Sequence, residues 1–269
     1  MILDMSNSEK AKESLIKLTG IEEDMLEEYI KYTKNINKSY DNMDIFLNIF
    51  KNVKLEDIKL EDIKVVGEHC TTNSDGCENI RKYGLKGLTY LLKNESELKT
   101  FLEENLLKNK SENLYDHLSK NKEEYGVDYR LTRDDSVNIF FMKDAYKNYC
   151  SSIKECPEFL ATIDKTIKTN LRRIWENDKN KKTYIIRVLV PLEKFEIGTF
   201  IEEYNSSEKG MKYICEIKDD ENLVEDLKKR IIQFLLCTYQ SESINETIGH
   251  INGDVGIAKE EIIAIEEID

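Results

Sequence analysis

Apolar positions recur along this chain with two periods, and the period changes as the chain proceeds. Between residues 8 and 53 the spacing is helical. Leu15 and Leu18 form one stripe, Ile21, Met25, Leu26, Tyr29 and Ile30 a second, and Ile45, Phe46, Ile49, Phe50 and Val53 a third. Ser8 is placed to cap the first of these helices and Gly20 to stop it. Glu22, Glu23 and Asp24 sit favourably at the positive end of the second. The expectation is an N-terminal helical bundle over residues 1–56.

The tandem pentapeptide LEDIKLEDIK at Leu55–Lys64 is too short for a solenoid repeat and reads as a surface turn. After it, Ile63–Val66 reads as a strand, the small and polar stretch Gly67–Asn73 as an open loop, and Cys77–Leu85 as a helix. Ile80 would face inward and Gly84 would be the left-handed stop. His69 and Thr71 then stand where a strand opens, a common place to offer side chains to a ligand. Farther on, Asn94 with Glu97 resembles a capping box ahead of the stripe Leu98, Phe101, Leu102 and Leu106. Lys108–Tyr125 is polar and reads as an exposed connection. Val137–Met142 is a buried-strand candidate leading into the helical DAYKNYC.

Pro157 opens a long helix to Trp175, with Phe159, Leu160, Ile163, Ile167, Leu171 and Ile174 inside. Tyr184–Val190 is a strand ended by Pro191, and Met211–Ile217 alternates as a strand does. Asp219 or Asp220 caps a helix bearing Leu223, Leu227, Ile231, Phe234 and Leu235, and Glu261–Ile268 is a final strand. Strands and helices intermix without regular βαβ alternation. The fold class expected is therefore α+β, a mixed and largely antiparallel sheet core with helices, filling residues 57–269.

Composition narrows the function classes. The 269 residues are 40% hydrophobic and 35% charged, with a formal net charge of −13. That balance fits a globular chain and argues against non-specific binding to nucleic acid or anionic membranes, which needs clustered cations. No apolar run approaches the roughly 20 residues that span a bilayer, and the N-terminus lacks a cationic stretch followed by a long apolar one. A cytoplasmic protein without membrane partners is expected. The six cysteines are scattered and form no CxxC, which fits reduced thiols and no metal site. Neither a GxxxxGK nor a GxGxxG phosphate cradle occurs. A nucleophilic Cys–His pair, Cys70 or Cys150 with His250 or His117, remains open, since such residues meet only in space.

Three stretches gain meaning together: His69-Cys70-Thr71, the run Ile139–Cys150 (IFFMKDAYKNYC), and Asn245–Ile248 (NETI) with Glu246. Their order resembles the ADP-ribosyltransferase superfamily, in its branch with a His–Tyr–Glu triad that includes the poly-ADP-ribose polymerase catalytic domain and related bacterial toxins. The first motif matches His69, Thr71, Ile80 and Gly84-Leu85. Phe140-Phe141 with Asn148-Tyr149-Cys150 matches the second, and Glu246 near the start of a late strand matches the third. This chain departs from the family pattern at Phe140, where Tyr is common, in a short spacing to Tyr149, and in lacking a Ser-Thr-Ser motif. Glu202, Glu203, Glu260 and Glu261 are rival carboxylates.

The resemblance implies NAD as substrate and no metal. His69 would hydrogen-bond the adenosine ribose, supported by Thr71, and Phe140 would line the cofactor site. Tyr149, or else Tyr146, would stack on the nicotinamide. Glu246 would grip the nicotinamide ribose 2′-hydroxyl and stabilise the positive charge that grows as nicotinamide leaves. The expected activity is mono-ADP-ribosyl transfer of toxin or phage-conflict type to a protein or nucleic-acid acceptor, with a cognate inhibitor as a further partner. With water as acceptor it would be NAD glycohydrolysis. The contrasting reading is a non-catalytic acidic binding or inhibitor protein acting on a macromolecular partner. Each residue also has a plain account: a strand histidine with its hydrogen bonds satisfied, tyrosines packed at helical spacing, and a solvated surface glutamate.

Overall fold

The computed structural model describes residues 1–36, 39, 41–107, 113–120, 126–132, 135–149, 151–201, 212–240 and 248–268. Strand β1 (Ile2–Leu3) precedes helices α1 (Ser8–Thr19), α2 (Glu23–Asn35) and α3 (Met43–Ile49). Strand β2 (Lys64–Asn73) leads to α4 (Glu78–Tyr83), α5 (Leu88–Lys93), α6 (Glu97–Leu106), α7 (Leu114–Ser119) and α8 (Val127–Thr132). Strand β3 (Ser136–Phe140) is followed by α9 (Tyr146–Tyr149), α10 (Glu158–Ile167) and α11 (Leu171–Glu176). The chain closes with β4 (Lys182–Pro191), α12 (Glu221–Gln240), β5 (Ile248–Asn252) and β6 (Ile262–Ile268).

The fold is α+β, as the intermixed periodicities predict. The sheet runs in the order β5-β3-β2-β4-β6, with β1 beside β2. It is mixed: β1 pairs with β2 in parallel, Ile2 opposite Lys64, whereas β4 and β6 are antiparallel from Thr183 opposite Ile268 to Val188 opposite Ile262. The chain divides into two compact units, each built from separate segments. One comprises Met1–Gly67, Phe140–Ala145 and Leu189–Gly249; the other comprises Glu68–Ile139, Tyr146–Val188 and His250–Asp269.

In the first unit α1 packs along α12. The helix is capped by Asn7, whose side chain accepts from the Lys10 amide, and it stops at Gly20 with φ 70°. The hydroxyl of Ser8, the expected cap, donates instead to the Tyr239 carbonyl. Leu15, Leu26, Phe46 and Phe50 are buried as expected, while Met25 and Ile49 turn outward. Each copy of the tandem pentapeptide forms the same one-turn 3-10 segment, at Leu55–Asp57 and Leu60–Asp62, which buries Ile58, Leu60 and Ile63. Asp220 caps α12 by accepting from the Leu223 amide. Phe141 meets Phe195, Phe200 and Phe234 at ring separations of 5.7, 5.8 and 5.9 Å. Gly249 lies against two of these rings: a Cβ there would stand 2.6 Å from Phe195 and 2.7 Å from Phe141.

The second unit has its own core, which includes Leu102, Leu114, Leu118, Leu131, Leu160, Ile163, Leu171 and Trp175. Trp175 is 1% exposed; its indole N–H donates to the Thr72 hydroxyl at 3.1 Å, and Lys181 Nζ lies 3.6 Å from the ring centroid.

Four expectations are corrected. Gly67–Asn73 is not a loop but the greater part of β2, because cross-strand pairing on both sides outweighs the turn preference of Gly67 and Asn73. Gly84 has φ 81° and ψ −175°, outside the left-handed helical region; it is needed because a Cβ would meet the Ile257 carbonyl oxygen at 2.0 Å. The single helix expected to Trp175 breaks at Lys168, which adopts φ 57°, and Asp164 starts α11 by accepting from the amides of Leu171 and Arg172. Ile174 is thereby 40% exposed. At 211–217 the described residues form a 3-10 turn, Ile214–Glu216, and one bridge between Glu196 and Tyr213, not a strand. Smaller differences follow the same logic. Ser96, not Asn94, caps α6, and Leu114 and Leu118 of the polar stretch face inward from α7.

Candidate functional site: two imidazoles about Asn138

Alternation along β2 sorts its polar residues onto two faces. Glu68, Cys70 and Thr72 point to one face and are buried. Glu68 pairs with Arg187 at 3.5 Å, the Cys70 thiol reaches the Ile153 carbonyl at 3.9 Å, and Thr72 accepts from Trp175. This face is packed. His69 and Thr71 belong to the other face and are only half-buried.

Among the described residues, one directional contact holds the His69 ring. Its Nδ1 lies 2.8 Å from the backbone carbonyl oxygen of Asn138 on β3. A carbonyl oxygen only accepts, so Nδ1 carries the proton and Nε2 of the neutral ring keeps its lone pair. Burial holds the imidazole below its ordinary pKa, against the opposing pull of the Asn138 carbonyl. The ring is therefore a neutral acceptor with a fixed tautomer.

Asn138 also gathers partners through its side chain. Its Oδ1 accepts from Ser136 Oγ at 2.8 Å and stands 2.9 Å from Nδ1 of His250, on β5. One strand residue thus engages an imidazole on each neighbouring strand, His69 by its carbonyl and His250 by its amide. In the sequence His250 stands out only as a partner for cysteine, and Asn138 and Ser136 do not stand out at all. A signal was present: SVNIF and IGHIN interleave polar residues with buried Val137, Ile139 and Ile251, a period of two that marks a half-open sheet face.

The other expected site residues are distributed as follows. Thr71 shares the face of His69, two positions on, and among the described residues no hydrogen bond joins the two. Phe140 ends β3 and is 2% exposed, within the first unit. Tyr146 begins α9 and is 3% exposed, its ring flanked by Lys147 Nζ at 5.8 Å and Lys154 Nζ at 5.6 Å. Both rings are interior packing rather than open walls. Tyr149 is the last residue of α9, and its side chain lies outside the described part. Glu246 lies outside the described residues, two positions ahead of β5, as do the rivals Glu202 and Glu203. Of the remaining rivals, Glu261 accepts from the Ala258 amide and so caps a turn, and Glu260 lies 3.8 Å from Lys259.

The cysteine alternative loses its described member. Burial pushes the Cys70 thiol up to about 12, which leaves it protonated and a poor nucleophile at neutral pH. Cys150 lies outside the described residues. Among the described residues no cluster of His, Cys, Asp or Glu has the size or geometry to hold a metal ion. No helix among them is long and apolar enough to cross a membrane. Comparison of the chain with protein-family models, with curated proteins and with solved structures finds no match.

Proposed function

We propose that this chain is an NAD-dependent mono-ADP-ribosyltransferase of toxin or phage-conflict type, acting on a protein or nucleic-acid acceptor. One observation carries the reading: His69 is kept neutral with Nδ1–H spent on a carbonyl, so Nε2 can accept from a ribose hydroxyl. That is the part the sequence resemblance gives it. The three strands that bear or follow the motif islands are also neighbours, in the order β5-β3-β2.

In this reading the bond from ribose C1′ to the nicotinamide nitrogen breaks and its electron pair leaves with nicotinamide. Glu246 holds the 2′-hydroxyl and offsets the charge growing at C1′, and Tyr149 stacks on the leaving group. The acceptor's lone pair then bonds to C1′ and the acceptor loses a proton. The roles of Glu246 and Tyr149 rest on the resemblance and on their chain positions, directly ahead of β5 and at the end of α9.

NAD at 100 times its dissociation constant should stabilise the fold by about 2.7 kcal/mol, readable as a rise in melting temperature. Incubation with NAD should release nicotinamide, and Glu246→Gln should abolish release without lowering the melting temperature. Absence of any NAD-induced shift would remove the enzymatic reading and favour an acidic binding protein without catalysis. Undiminished release by the variant would remove Glu246 from the mechanism.

A further inference from the structure

The cluster on β5, β3 and β2 contains one imidazole that the sequence resemblance leaves without a part. His250 Nδ1 stands 2.9 Å from Asn138 Oδ1, an oxygen that also accepts from Ser136. The backbone carbonyl of the same Asn138 takes the Nδ1–H of His69 at 2.8 Å. The amide side chain and the carbonyl belong to one strand residue. Anchoring the side chain from β5 therefore restricts where the carbonyl stands toward β2. Groups that orient a ligand-binding imidazole in this indirect way are worth about 10- to 100-fold at metal sites, where they have been measured.

We propose that His250 is a positioning residue for His69, acting through Asn138. It steadies the carbonyl that keeps His69 in its Nδ1–H tautomer, which leaves the lone pair on Nε2. The tautomer role stands on this geometry, whereas the ligand at Nε2 and its identity as NAD rest on the ADP-ribosyltransferase reading.

Nitrogen-15 NMR of the imidazole rings tests it directly, since the chain has only 3 histidines and His69→Asn assigns the relevant signals. Wild-type His69 should show the Nδ1–H form alone. His250→Leu should spread His69 between tautomers and raise KM for NAD by roughly tenfold, while kcat changes little, because His69 serves binding and not the bond that breaks. His250→Asn places an N–H donor near the lost Nδ1 and should restore both readouts. An unchanged His69 tautomer in a folded His250→Leu protein would overturn the proposal. Failure of His250→Asn to restore it, at wild-type melting temperature, would do the same. A tautomer response in a protein that never responds to NAD would uphold the positioning role and sink the ADP-ribosyltransferase reading instead.

Discussion

Neutral His69 has a consequence for stability at low pH. Its folded pKa lies below the ordinary value because burial disfavours the charged ring. Above about pH 6.5 neither the folded nor the unfolded chain protonates this ring, and it contributes nothing to pH dependence. Below that point the unfolded chain takes up a proton that the folded one refuses. Stability therefore falls with pH from about 6.5 down to the folded pKa, by at most about 1.4 kcal/mol per pH unit for one group. His69→Asn should lose this component, so its melting temperature should drop less than that of the wild type between pH 7.5 and 5.5. Equal slopes in the two proteins would mean that His69 protonates as readily folded as unfolded.

Among the elements, the pair α10 and α11 shows how a short side chain redirects a whole segment. The apolar stripe from Phe159 to Leu171 reads as one helix, yet Lys168 takes φ 57° and the chain turns. Asp164 makes the turn stable, since its carboxylate accepts from the Thr169 hydroxyl at 2.6 Å and from the amides of Leu171 and Arg172 at 2.7 and 2.9 Å. Asp164→Ala should cost about 1–2 kcal/mol, the range of a lost helix cap, read as a lower denaturation midpoint at unchanged slope. Lys168→Gly should change stability in the opposite direction, since glycine adopts this backbone without strain. A neutral Asp164→Ala would mean that the turn is held by the burial of Trp175 rather than by the carboxylate.

The same pair shows what can be read from sequence. The buried stripe was legible because period 3.6 is a local property, and so were β4, β6 and the Asp220 cap of α12. The break at Lys168 was not, because lysine carries no turn signal and the decisive acceptor lies four residues upstream. The length of β2 was missed for a related reason: Gly67 and Asn73 favour turns on their own, and only pairing with flanking strands overrides them. At the candidate site, His69 was visible as an isolated histidine beside a strand. Its partner atom was not, being a backbone carbonyl 69 residues away with no side-chain identity to search for.

For the molecule as a whole, the governing quantity is the excess of 53 acidic over 40 basic side chains. Lys10–Glu13, Arg130–Glu158 and Lys182–Glu267 are exposed or partly exposed pairs, and isolated surface pairs contribute about 0–1 kcal/mol each. The uncompensated −13 acts against compactness over the whole surface, because unfolding spreads like charges apart. Salt separates these two effects. Raising ionic strength from 0.01 to 0.15 M shortens the screening length from about 30 to about 8 Å, which relieves repulsion across the surface while touching contact pairs less. The melting temperature should rise over this range; a fall would mean that the pairs outweigh the net charge. The same field bears on the proposed activity, since NAD carries a pyrophosphate and approaches a protein of like sign. Its KM should therefore decrease as salt increases over the same interval, whereas a ligand that met a local basic patch would bind more weakly.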